Sequence, residues 1–513
     1  MSDNASNNKR IAKNTAVLYI RMLFTMAVGL YTGRVILSVL GDVNYGIYNV
    51  VGGIVILFSF LNSTMAVATQ RFLTFEIGRG DEEQLKRVFN ASFVIHVIIS
   101  ILVVIIAETI GLWFLNEKLN IPANRMVAAR IVYHISVLST ILGITQVPYN
   151  ALIIAREKMN VFAYISIIEV ILKLVMVYAI SQINYDKLEL YAWLILLNNT
   201  IILLIYRIYC IRNYKESKFC LVTDVLLYKE IGGFAGWNLI ANVALVLRTQ
   251  GVNMIVNIFG GPIFNAARAI GIQVNGYVLQ FVNNFTSAAV PQITKLYAGG
   301  TKAEMLKLIF RSSKFSYLLL VFLMVPLIIE TEYVLGLWLG NYPAYTVAFT
   351  RLTLIATLID LLSGTIGHAA LATGKVKRYQ LFMSLLLSMS FVLSLVALRS
   401  GFPIECIYFV EIVIYLCALC LRLKLLKKMI GLSPRDYLKN VVFRCVVVLV
   451  ITLFLSSIIT LVMDDSFLRL FVVCLCSTGV ALLTSYFIGM NNNERYYVVS
   501  IIHNYWAKIR RNG

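Results

Sequence analysis

Arginine inside an apolar run is the first chemistry this sequence offers. Residues 17–37, VLYIRMLFTMAVGLYTGRVIL, are long and apolar enough to cross a bilayer as one helix, yet they contain Arg21 and Arg34. A guanidinium near the centre of a membrane helix costs about 2.5–3.5 kcal/mol on insertion scales, so a retained one points to a use. Recognition of an anion is one chemistry arginine suits, because its planar fork of donors matches carboxylate and phosphate oxygens two at a time. Asn14, Arg21, Thr25 and Thr32 share one helical stripe, which places Arg21 on a polar face. Arg34 lies near the other end and on roughly the opposite side, where it can snorkel to the headgroups.

Two more arginines lie among amides. Asn238, Asn242, Thr249, Asn253 and Asn257 form a stripe with Arg248 beside it, and Asn265, Arg268 and Asn275 follow on the next apolar run. Asn62 lies within the second apolar run, and Asn283 lies further along the run that holds Asn265. Such a face fits a wet cavity, and the asparagines fit bonding between helices equally well. For Arg21, Arg248 and Arg268 the cavity reading is favoured, since few acids lie at similar depth; Asp360 is one. Glu169 and Lys173 stand i, i+4 in the order that favours an ion pair. Asp360 with His368, and Arg130 with His134, have the chemistry of proton relays or of structural ties.

Other chemistries find no footing. There is no Walker A sequence, no Gly-rich nucleotide loop and no metal-ligand spacing, so neither a cofactor nor a metal is expected. All eight cysteines lie at or after Cys210, mostly within apolar runs, and read as small packing residues, the Cys417/Cys420 pair included.

The elements that position these side chains must be membrane helices. Of 513 residues, 59% are hydrophobic and 14% charged, and mean hydropathy is +0.81. Runs of about 20 apolar residues recur along the whole length, leaving no room for a separate soluble domain. The first run lacks a small-residue cleavage site and reads as a permanent span. Hydrophobic length predicts about fourteen transmembrane helices, an all-α polytopic bundle, with the polar residues above falling in the spans 14–39, 45–70, 126–155, 158–182, 228–258, 263–293 and 345–372.

Charge tests the count. Lys9, Arg10 and Lys13 precede the first span, and every second loop is basic thereafter, through Arg79, Lys86 and Arg87 to Lys427 and Lys428 and the terminal Lys508, Arg510 and Arg511. The alternate loops are short and nearly free of cations, so the positive-inside rule places both termini in the cytoplasm. The net charge of +20 is thereby explained as topogenic, in contact with anionic membrane lipids, and a nucleic-acid role is not expected.

Residues 41–89 and 261–310 resemble each other: each runs from a glycine through a span containing Asn62 or Asn283 to a Gly-rich basic loop and a closing Phe. Residues 150–159 and 368–377 repeat at nearly the same offset. Two six-helix lobes in one orientation form a transporter architecture with a site between lobes. The expected layout is a tail at 1–13, an N-lobe at 14–223, a C-lobe at 224–430, two extra helices at 431–490 and a tail at 491–513.

With GDVNYGIYNVV after the first span, PQITKLYAGG before the ninth and this six-plus-six-plus-two layout, the chain resembles the Wzx-type O-antigen and capsule flippases of the multidrug/oligosaccharidyl-lipid/polysaccharide (MOP) superfamily, which are MATE-like. The resemblance covers nearly the full length. It implies alternating access by two lobes in the bacterial inner membrane, and an undecaprenyl-diphosphate-linked oligosaccharide as substrate, moved for O-antigen, capsule or exopolysaccharide synthesis. A polysaccharide polymerase, glycosyltransferases and a proton or sodium gradient would accompany it. Arg21, Arg248 and Arg268 would then hold the diphosphate, with Asn and Thr stripes facing the sugar. A multidrug or metabolite exporter and a lipid II flippase share the fold. A membrane enzyme acting on lipid-linked sugars is the more distant reading; short outer loops and only four histidines argue against it.

Overall fold

Helices alone build the chain, with no strand among the described residues. The computed structural model describes residues 2–56, 65, 69–70, 72–77, 79–156, 158–232, 246–298, 301–364, 366–373, 377–492 and 494–496, with side chains from residue 24 onward except at 54–56, 159, 163, 284–285, 287–292, 294–295, 298 and 371–372. Eleven of the described helical segments are long and apolar enough to cross a membrane. Two other expected spans, 45–70 and 228–258, run over residues outside the described set. The third, 263–293, falls in Pro262–Ala298, a continuous helix not among the eleven. Its composition gives the reason, because Asn265, Arg268, Gln273, Asn275, Gln280 and Asn283 are spaced along it.

Glycine sets the corners. Helix α1 (Ser2–Ile56) is broken at Gly41, at φ 72° and ψ 169°, a conformation that only glycine adopts without strain. Gly261 adopts nearly the same one, φ 84° and ψ −175°, just before Pro262 starts the next helix. The residues that open the two repeated segments therefore share one backbone geometry.

The chain forms two compact units. One comprises Met1–Ala269, Asn341–Ala344 and Phe391–Ile404. In it the second half of α1 packs with α2 (Glu82–Glu117), α3 (Met126–Ala155), α4 (Met159–Gln182) and α5 (Lys187–Asn213). Ile47, Val50, Val51, Val132 and Leu188 form one core and Leu85, Phe89, Leu152 and Cys210 another. On α2 a π-turn at Ala107–Gly111 offsets the carbonyl ladder, and the buried Tyr133 hydroxyl donates to the Ala107 carbonyl at 2.6 Å. Ile98, Ile101 and Ile105 make an exposed apolar stripe on the same helix, the face a membrane helix gives to lipid.

The other unit comprises Ile270–Gly340, Tyr345–Ser390 and Glu405–Gly513. Its core of Leu320, Val321, Met324, Leu354, Ala418 and Val448 joins α8 (Lys302–Ile329), α10 (Thr346–Gly364), α13 (Cys406–Ile430) and α14 (Pro434–Val462). Further helices are α6 (Val252–Gly260), α7 (Pro262–Ala298), α9 (Thr331–Leu339), α11 (Gly367–Ala372), α12 (Lys377–Arg399) and α15 (Phe467–Gly489).

Candidate functional site

The polar residues of α6 and α7 come together because Gly261 turns the chain back on itself. Asn265 returns to Asn253, and its Nδ2 donates to the Asn253 carbonyl at 2.8 Å and to its Oδ1 at 2.9 Å. Asn257 Oδ1 accepts the Asn120 backbone N–H at 2.9 Å, tying the α2–α3 connection to α6. Asn253, Asn257 and Asn265 are all buried. The Asn253–Asn265 bonds run from helix to helix, each worth about 0.6–1.7 kcal/mol in a membrane.

Glycines let the first repeated segment close on this cluster. A Cβ at Gly46 would fall on the backbone carbonyl of Pro262, and one at Gly53 would meet Gln250 Oε1 and Asn253 Nδ2 at 2.9 and 3.4 Å. The motif GDVNYGIYNVV is thus a packing face: Gly41 turns the chain and Gly46 admits α7.

Of the expected anion ligands, Arg268 lies one turn beyond Asn265 and is only 4% exposed. Arg248 and Thr249 sit on a π-turn, Leu247–Gly251, that leads into α6; Arg248 is half-buried and Thr249 exposed. Asn275 is half-buried and Asn283 exposed, both on α7. The side chain of Arg21 and the residues Asn62, Asn238 and Asn242 lie outside the described residues. Arg34 is exposed.

The second unit organises its charges in pairs. Asp360 meets Arg422 at 3.2 Å, and the same guanidinium donates to Ser363 Oγ at 2.8 Å. Lys314, 1% exposed, donates to Glu494 at 2.7 Å, and Glu494 also accepts the Asn491 N–H. Arg469 grips Glu330 with Nε and a terminal nitrogen at 2.9 and 2.8 Å and also pairs with Asp465. Arg351 donates to the Ile328 and Ile329 carbonyls at the end of α8, where no further helical N–H would reach them. His368 is half-buried near the end of the Thr346–Ala370 segment.

Glu169 and Lys173 form the expected pair at 2.7 Å, both partly exposed on α4. His134 meets Glu108 at 3.0 Å, whereas Arg130 donates to Asn116. The pairs Lys314–Glu494 and Glu330–Arg469 escaped the sequence reading because 180 and 139 residues separate their members. Arg422 lies in a run of cations with Lys424, Lys427 and Lys428, where its pairing with Asp360 leaves no trace in the sequence. No cluster of three or more metal-ligating side chains occurs among the described residues.

No protein-family profile matches the chain, and no curated protein matches its sequence. Solved structures do match. One described as "Lipid II flippase MurJ, inward closed conformation" aligns with a TM-score of 0.67 at 14% identity, covering 91% of this chain and 97% of its own. A MOP superfamily transporter from Pyrococcus furiosus, described as having a binding pocket of reversed polarity, aligns at 0.57 and 13% identity over 82% and 96%. An inward-facing multidrug resistance MATE family transporter aligns at 0.59 and 12% identity over 80% and 96%. The chain therefore has the MATE/MurJ-like fold of MOP superfamily transporters and is a multi-pass membrane protein.

Proposed function

We propose that the chain is a flippase that carries an undecaprenyl-diphosphate-linked oligosaccharide across the bacterial inner membrane by alternating access, with both termini in the cytoplasm. A diphosphate is too strongly hydrated to cross hydrocarbon alone, so a carrier must offer it charge and donors inside the membrane. Arg268, with Arg248 and Arg21, would supply the charge; Thr249, Asn275 and Asn283 on the same stretch would face the sugar.

The observation that carries this reading is the extent of the fold. The match to a structure described as a lipid II flippase spans more of this chain than the match to the MATE exporter does, although each solved structure is itself almost fully covered. Capsule, O-antigen and exopolysaccharide units share the diphosphate headgroup. Glycosyltransferases would build the substrate on one face and a polymerase consume it on the other.

The test is translocation of fluorescent undecaprenyl diphosphate oligosaccharide in proteoliposomes containing only this protein, with and without proton or sodium gradients. Wild type should move the lipid, and Arg268→Ala should slow movement about ten- to a hundred-fold while inserting normally, the loss of one or two charge-assisted bonds. Transport of a small organic cation without any lipid movement would instead make the chain an exporter.

A further inference from the structure

Beyond the translocation path, the first unit holds a second set of cations. The segment after α5 folds back over the start of α2, pinned by Asn90. Its Nδ2 donates to the Lys86, Glu216 and Lys218 carbonyls at 2.9, 3.4 and 3.3 Å, and its Oδ1 accepts the Cys220 N–H at 2.9 Å. Arg156 fixes the same segment, gripping Glu216 at 3.0 and 2.6 Å and lying over the Tyr214 ring.

Between these walls is a cavity of about 610 Å³ with Lys86 and Arg87 on one side and Lys215 and Lys218 on the other. Among the described residues none of these four forms an ion pair. The buried acid of the lining, Glu216, is already neutralised by Arg156. Glu82 and Glu83 also line the cavity, from the first turn of α2, where the helix terminus favours negative charge; with Glu216 set against Arg156, four cations face two carboxylates. The cavity is left with an excess of positive charge.

Beside it the chain turns apolar outward. Phe219, Leu221, Val225 and Leu226 are 66%, 72%, 62% and 75% exposed. Large apolar side chains at the rim of a membrane span, interleaved with lysines, fit the level where headgroups meet acyl chains.

We propose that this cavity binds the phosphate headgroup of an anionic phospholipid in the adjoining leaflet. Lys86, Arg87, Lys215 and Lys218 contact the phosphate, and Phe219 and Leu221 lie against the acyl chains. A basic pocket between membrane helices is suited to such a headgroup, with each cation near the surface adding attraction.

Native mass spectrometry of the full-length protein, titrated with phosphatidylglycerol or phosphatidylcholine, tests this. Wild type should retain phosphatidylglycerol in preference to phosphatidylcholine. Lys215→Gln/Lys218→Gln should weaken that retention about ten-fold or more. Arg212→Gln/Lys229→Gln, which removes two cations of the same region outside the cavity, should leave it unchanged, and both variants should stay monodisperse. Phe219→Ser/Leu221→Ser should also weaken retention, because a lipid uses both cations and apolar rim. Equal retention of the two lipids, an equal loss in both charge variants, or unchanged retention in Lys215→Gln/Lys218→Gln would overturn the proposal. Unchanged retention in Phe219→Ser/Leu221→Ser, with full displacement by millimolar inorganic phosphate, would also overturn it, as a site for free phosphate.

Discussion

Lys314 and Glu494 show what a charge buried in a membrane protein asks of its surroundings. The ammonium is 1% exposed, and its partner carboxylate accepts a second bond from the Asn491 backbone, so neither charge is left to hydrocarbon. Removing one partner strands the other. Lys314→Met alone should therefore destabilise by about 3–5 kcal/mol, and Lys314→Met/Glu494→Gln should recover much of that loss. Thermal unfolding in detergent of wild type, both singles and the double closes the cycle; additive losses would show that the pair is not coupled. At this scale sequence spacing was informative only where the partners were neighbours. Glu169 and Lys173 could be paired from i, i+4 spacing alone. Asp360 and Arg422 could not, being 62 residues apart with Arg422 inside a run of loop-like cations. The bond from Arg351 to the carbonyls of α8 was hidden for the same reason, since only tertiary folding brings it there.

Among elements, glycines decide how closely helices approach. Gly46 and Gly52 sit six residues apart on α1 yet differ completely: a Cβ at Gly46 would strike the Pro262 backbone, and one at Gly52 would touch nothing within 4 Å. Gly46→Ala should destabilise by about 1–3 kcal/mol through forced separation of α1 from α7. Gly52→Ala should be neutral or stabilise by up to about 1 kcal/mol, because it only removes backbone freedom within a helix. Unfolding midpoints of the two variants make the comparison, and equal shifts would refute the packing account. The repeated glycine at positions 41 and 261 was visible in the sequence as an alignment; its common positive-φ geometry was not. The α3–α5 junction offers a pH test. Asp186 caps α5 through the Leu188 and Glu189 N–H groups and takes a two-pronged bond from Arg125 at 2.6 and 3.0 Å. That guanidinium holds its carboxyl below the usual carboxylate range. The folded value lies under the unfolded one of about 3.9, so the stabilisation is complete above that pH and is lost as pH falls through the folded value. Asp186→Asn should lower the unfolding midpoint at neutral pH and flatten its fall below about pH 4; a parallel fall in both proteins would exclude the residue as a source of acid sensitivity.

For the molecule as a whole, runs of apolar residues carried most of the fold. They implied a helical bundle with many spans, and the residue-rich polar helix Pro262–Ala298 shows where hydropathy alone loses its grip, since its amides and Arg268 mask a continuous helix. The parity of the basic loops makes a prediction of its own. In a cysteine-free background, single cysteines at Lys218 and Lys428 should both react with a membrane-impermeant thiol reagent only from the cytoplasmic side. Labelling from opposite sides would mean that one span has been miscounted between them. The ion pairs of the second unit bear on a different question, that of how far the chain could be shortened. Lys314 of α8 is answered by Glu494, and Glu330 at the end of α8 by Arg469 of α15. A protein ending at Gly431 would keep the lysine and the glutamate and lose both of their counter-charges. The final helices are therefore bolted to α8 by electrostatics of both signs, and trimming them would leave two buried charges of opposite sign without partners.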